Sequence, residues 1–93
     1  MVRSANQRLL EALYVPAEVR IVRRLCELAD RYAPPGGGPI AVPLRQEDLA
    51  SLAGTSRPTV NRVLRAEEER GTVRLLRGRT EIVDLARLRG IAG

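Results

Sequence analysis

Apolar residues in this 93-residue chain recur mostly at helical spacing, and only three short runs read as strands. Residues 4–13, SANQRLLEAL, place Leu9, Leu10 and Leu13 on one side of a helix. The Tyr-Val-Pro that follows closes it, because a residue before proline avoids helical backbone angles. Pro16 stands at the start of a second helix, where its missing N–H does no harm. Val19, Val22, Leu25, Cys26 and Ala29 form the core-facing stripe of that helix as far as about Tyr32. The run PPGGGP at 34–39 ends it in a surface loop. That loop lacks a P-loop lysine and a following helix start, so it does not read as a phosphate cradle. IAVP at 40–43 reads as a short strand. Residues 46–53 fit a two-turn helix, and a longer one runs from 57 to 70. Two β-capable runs flank Arg77-Gly78-Arg79, which is a hairpin signal. Asp84 caps a last helix, LARLRGIA. The predicted fold is mainly α with a small β-hairpin wing at 73–83: a winged helix-turn-helix.

The stretch QEDLASLAGTSRPTVNRVLR carries the requirements of a helix-turn-helix at the right offsets. Ala50 is small where two helices cross closely. Gly54 permits the positive φ of a sharp helix exit. Ser56 is a good N-cap, and Pro58 falls in the first turn, where its lost donor had no partner anyway. Leu49, Leu52, Val60, Val63 and Leu64 are expected to fill the angle between the helices. At about 100° per residue, Arg57, Pro58, Asn61, Arg62 and Arg65 gather opposite Val60, Val63 and Leu64. A helix so presented fits the DNA major groove, with its N-terminal residues reaching base edges. Arg57 and Arg62 are the candidates for bidentate contacts to guanine. Thr59 and Asn61 are candidates for a base or a phosphate, and Arg65, further along, for the backbone.

Charge supports a polyanionic partner. All 16 cations are arginines against 11 acidic residues, for a net charge of +5 and a pI near 10.9. Arginine's planar fork suits phosphates and base edges. Aromatic residues are only 2% of the chain, which excludes recognition by stacked aromatics. There is no histidine, and the single Cys26 sits in an apolar pattern as a structural thiol. No catalytic residue, metal site or cofactor is therefore expected. No apolar run approaches membrane-spanning length, and there is no signal-peptide pattern at the start, so a cytoplasmic protein without a membrane partner is expected.

LRQEDLASLAGTSRPTVNRVLRAEEERG, the following VRLLRGRTEIVD and the earlier VPAEVRIVRRLCELADRYA together resemble the C-terminal DNA-binding domain of the cyclic-AMP receptor/fumarate-nitrate regulator (Crp/Fnr) family. The run Ser56, Arg57, Thr59, Val60, Arg62 is the specific part. The resemblance implies a bacterial-type transcription regulator that binds double-stranded DNA, with Arg57 and Arg62 reading bases. It further implies phosphate contacts from the Arg45–Gln46 helix start and the Thr55–Ser56 turn, and a wing that brings Arg77 and Arg79 to the flanking backbone. Residues 1–15 would be the end of a dimerisation or linker helix and 16–93 the DNA-binding domain. The family's N-terminal sensor is not recognisable in this chain. A homodimer, weak or supplied by a missing N-terminal region, and a contact with RNA polymerase also belong to the family picture. Only three leucines of a dimer seam stand here, too few for a stable coiled coil.

Three positions depart from the family pattern. Pro58 stands where the family often carries a glutamate that accepts from cytosine, so the base preference at that step should differ. Glu67 falls in the middle of the apolar face, and Thr72 stands where an aliphatic residue is usual. A carboxylate buried there must be paired. Either both lie at the domain edge, with Glu67 reaching solvent or an arginine such as Arg70 or Arg74, or they mark a core completed by a partner. The second option belongs to the alternative function, a winged-helix protein-interaction module that does not read DNA.

Overall fold

The computed structural model describes residues 2–93, with side chains from Asn6 onward. Five helices, α1 (Val2–Tyr14), α2 (Ala17–Tyr32), α3 (Gln46–Ala53), α4 (Arg57–Glu69) and α5 (Leu85–Ala92), surround a small sheet of β1 (Ile40–Val42), β2 (Val73–Leu76) and β3 (Arg79–Ile82). The strands run in the order β1-β3-β2, all antiparallel, with Ile40 opposite Ile82 and Leu75 opposite Thr80. The expected hairpin is thus part of a three-stranded sheet. Its third member comes from before the helix-turn-helix, and alternating Ile40 and Val42 give it a buried face. The fold is a winged helix-turn-helix.

The core forms where the apolar stripes converge. Ile21, Leu25, Leu49, Val60, Leu64, Val42 and Leu88 are fully enclosed. At roughly 1.5–3 kcal/mol for each large aliphatic side chain removed from water, these residues hold α2, α3, α4 and α5 on the sheet. Three expected core residues are less enclosed than predicted. Val19 and Cys26 are only half-buried, and the face of α2 is completed instead by Ile21 and by Arg24. Leu52 is 38% exposed at the outer edge of α3, so the interhelical angle is filled by Leu49, Ala50 and Ala53 without it. Burial pushes the Cys26 thiol above its ordinary range, with Arg89 opposing the shift. That is the environment of a packed thiol and not of a nucleophile.

Leu9, Leu10 and Leu13 share a side of α1 as expected, but all three are exposed. What ties α1 to α2 among the described residues is charge. Arg24, itself buried, reaches Glu11 at 3.2 Å and Glu27 at 2.8 Å, and Arg23 lies 3.7 Å from Glu11.

Glu67 and Thr72 are inside the molecule, at 4% and 0% exposure. The domain-edge expectation is corrected in that respect, since neither residue reaches solvent. The Thr72 hydroxyl lies 2.8 Å from Glu67 Oε1 and 3.0 Å from the Glu67 carbonyl oxygen, both as acceptors. Arg70, not Arg74, donates to Glu67 Oε2 at 2.8 Å from an exposed position. Arg74 faces Glu81 across the hairpin at 3.6 Å. The polar pair is therefore satisfied within the chain, beside an open cleft of about 250 Å³ that Glu67 lines together with Val19, Val22, Val63, Ala66 and Ile91.

Candidate nucleic-acid interface

The presentation of α4 begins at the end of α3. Gly54 adopts φ 65°, and the N–H groups of Gly54 and Thr55 return to the carbonyls of Ser51 and Ala50. This is a Schellman closure that turns the chain sharply. Ser56 then caps α4: its Oγ accepts from the Thr59 N–H at 3.3 Å and lies 2.9 Å from Thr59 Oγ1. Pro58 follows in the first turn of α4. Val60, Val63 and Leu64 anchor the helix, so the opposite face is held outward.

Arg20 reinforces this turn from α2. Its guanidinium donates to the carbonyls of Val15 at 2.6 Å, Ala53 at 2.8 Å and Gly54 at 3.1 Å. One side chain thus joins the α1–α2 hinge to the turn that launches α4, and it satisfies carbonyls left over at a helix end. Replacing Arg20 with methionine, which keeps the apolar stem, should cost about 1 kcal/mol of stability. Chemical denaturation would measure this, with a lower midpoint and an unchanged slope.

Wing and α4 are also joined by side chains. Glu68 accepts from the backbone N–H of Leu75 at 2.8 Å, satisfying a donor on the edge strand β2. Arg87 of α5 donates to the Arg70 carbonyl at 3.0 Å. The hairpin turns at Gly78, φ 72°, so Arg77 and Arg79 stand at its tip. Between the start of α3, Arg57 and this tip lies an open cleft of about 360 Å³ lined by Arg45, Gln46, Arg57, Arg77 and Arg79, with Glu47 as the one acidic residue.

The fold thus gathers five of the twelve expected site residues around one positive cleft, although they come from three separate parts of the chain. Arg62 is exposed but lies on another flank of α4, beside Glu18 and Arg70. Most described arginines are committed within the protein. Those with neither an ion pair nor a hydrogen bond among the described residues are Arg31, Arg57, Arg62, Arg77 and Arg79. All but Arg31 lie on α4 or at the wing tip. Arg45 and Arg65 have loose exposed pairings, to Glu47 at 3.6 Å and Glu68 at 3.5 Å, which hold little energy. The Thr55 N–H serves the turn and Ser56 Oγ accepts the cap bond, so an outside contact falls to the Thr55 hydroxyl or to the Ser56 O–H as donor. Asn61 is not free: it donates to Gln46 Oε1 at 3.1 Å. That link, Arg20 and Glu68 were not anticipated from the sequence. No local pattern marks them, because Asn61 lies 15 residues from its partner and Arg20 lies 33 and 34 residues from Ala53 and Gly54.

A helix cradled by a turn and flanked by an arginine-tipped hairpin defines the class: a winged helix-turn-helix domain. Residues 19–91 match the Crp-like helix-turn-helix domain family, and the chain belongs to it, a family of DNA-binding transcription regulators. It is 36% identical over 75 residues to a CRP-like cAMP-activated global transcriptional regulator of Mycobacterium tuberculosis, covering 78% of this chain and 34% of that protein. It is 51% identical over 57 residues to the cyclic AMP receptor protein of Thermus thermophilus, covering 61% of this chain and 26% of that protein. The chain therefore spans about a third or less of the length of these relatives. Among solved structures, the catabolite activator protein of Thermus thermophilus superposes with a TM-score of 0.72 at 37% identity, over 98% of this chain and 40% of that one. A CRP/FNR-family regulator of the same organism reaches 0.87 at 24% identity, over 98% of this chain and 47% of that one, and so shares the fold. No described helix is long and apolar enough to cross a membrane.

Proposed function

We propose that this chain binds double-stranded DNA sequence-specifically as the DNA-binding domain of a transcription regulator. In this reading α4 enters the major groove, and the wing lies against the flanking backbone. Arg57 and Arg62 read base edges, with Thr59 beside them. Pro58 replaces an acceptor and shifts the preference at its step. Arg45, Gln46, Arg65, Arg77 and Arg79 meet phosphates, helped by the Thr55 and Ser56 hydroxyls. Residues 16–93 form the binding domain, and residues 1–15, with α1, form the segment that links it to a dimerisation region.

The observation that carries this reading is the segregation of arginines. Those bonded inside the protein build the fold, while four of the five unpaired described arginines, Arg57, Arg62, Arg77 and Arg79, stand exposed on two adjacent elements, the fifth being Arg31 on α2. An exposed guanidinium without a carboxylate partner is available to phosphate and to guanine. Of the features that favour the interaction-module alternative, the polar Glu67 and Thr72 weigh less, because Thr72 and Arg70 pair with Glu67 within the chain.

Selection of bound sequences from a random duplex pool, followed by gel shift of the winner against random DNA, tests the reading. A defined consensus with clear discrimination is expected, and retention of no duplex at all would overturn it. With four arginines, Arg45, Arg65, Arg77 and Arg79, on phosphates, log K should fall against log salt with a slope near −3.6, that is about −0.9 per neutralised phosphate. Salt-independent affinity would refute the electrostatic part.

A further inference from the structure

On the exposed side of α4, Arg57 and Arg62 extend freely, but Asn61 is drawn toward α3. Its Nδ2 donates to Gln46 Oε1 at 3.1 Å, and both residues are half-buried, whereas the two arginines are exposed. Gln46 is the first residue of α3 and lines the arginine-rich cleft. A carboxamide is planar, with its oxygen and nitrogen on opposite arms. Holding Oε1 against α4 therefore turns the Nε2 donors away from Asn61 and leaves them to the cleft.

We propose that Asn61 is a positioning residue: it fixes Gln46 so that the glutamine's NH₂ meets a DNA phosphate, and does not itself select a base. The assignment rests on the DNA-binding reading above. An unrestrained glutamine must give up its rotamer freedom when DNA binds, whereas one held by Asn61 has given it up on folding. The first turn of α3 also needs such a donor. Glu47 and Asp48 place negative charge there, and the Asp48 carboxylate takes the Arg45 N–H at 3.1 Å, so the helix end alone is a poor phosphate site.

The test is a double-mutant cycle on the full chain, read by gel shift on a selected duplex and on random duplex. Asn61→Ala should weaken both by the same factor, about three- to tenfold, as for one lost hydrogen bond. The selected consensus and the salt slope should be unchanged, since no charge is altered. In a Gln46→Ala background the same change should have no further effect. Asn61→Asp, an acceptor only, should turn the Gln46 amide over, present its oxygen to phosphate and weaken binding more than alanine does. A shift of the consensus at one base pair in Asn61→Ala, or losses that add to those of Gln46→Ala, would overturn the assignment. Failure of the unmodified chain to bind any duplex would instead bring down the DNA-binding reading, and this assignment with it. Matching thermal melting curves confirm that each variant is folded.

Discussion

Thr72→Val should lower the melting temperature by roughly 8–16 °C, corresponding to about 2 kcal/mol in a domain of this size. Valine has the shape of threonine, so no cavity opens. What disappears is the hydroxyl that faces Glu67 Oε1 at 2.8 Å in a fully enclosed position. The carboxylate oxygen keeps its place but loses its donor, and a buried acceptor without a partner bears its full desolvation cost. Glu67→Leu should do the opposite, raising stability by about 1 kcal/mol, because a buried ion pair replaced by a packed apolar residue is commonly neutral or stabilising. Arg70 is exposed and returns to water, and Thr72 keeps the backbone carbonyl at 3.0 Å. The double variant should therefore recover most of what Thr72→Val loses. Thermal melting of the four proteins settles the matter, and losses that simply add would show that the two side chains do not depend on each other.

Arg62→Ala should weaken binding to the selected duplex by about 5- to 150-fold, the range expected for one bidentate guanine contact. Random duplex should lose only a few-fold, since a base reader contributes little where its base is absent. Arg79→Ala at the wing tip should weaken both duplexes alike and make the salt slope shallower by about one. The two residues share their chemistry and their lack of internal partners. They differ in what they can reach, one from a helix flank and the other from the end of a hairpin. Titrations at several salt concentrations separate them, and equal losses on both duplexes for Arg62→Ala would remove it from the base readers.

The helix-turn-helix was legible because its requirements are local. Gly54 for the positive φ, Ser56 for the cap and Pro58 for the first turn act within a few residues of where they stand, and each takes up the expected geometry. The same holds for Asp84, which caps α5 by accepting from the Arg87 N–H at 3.1 Å. The strands were legible one by one, but their assembly was not. Nothing in residues 40–43 says that they pair with residues 80–82, about forty positions away. Burial was misread where helical spacing offers several equivalent faces. Leu52 has the period of a core residue and sits at the rim, whereas Arg24 has the composition of a surface residue and is enclosed by carboxylates.

The candidate site divides along the same line. Which arginines share the polar face of α4 follows from the helical period, and sequence by itself determined it, together with the turn, the caps and the family. Which of the described arginines remain unengaged was decided only by tertiary structure. Arg20 is consumed by carbonyls of the hinge and turn, Arg24 by Glu11 and Glu27, and Arg70 by Glu67. Asn61 is likewise turned toward Gln46, on a helix that precedes it by 15 residues. The reason is physical: a cap or a tight turn is closed by neighbours in sequence, but the partner of a long polar side chain is whatever the packed helices bring within about 3 Å of it.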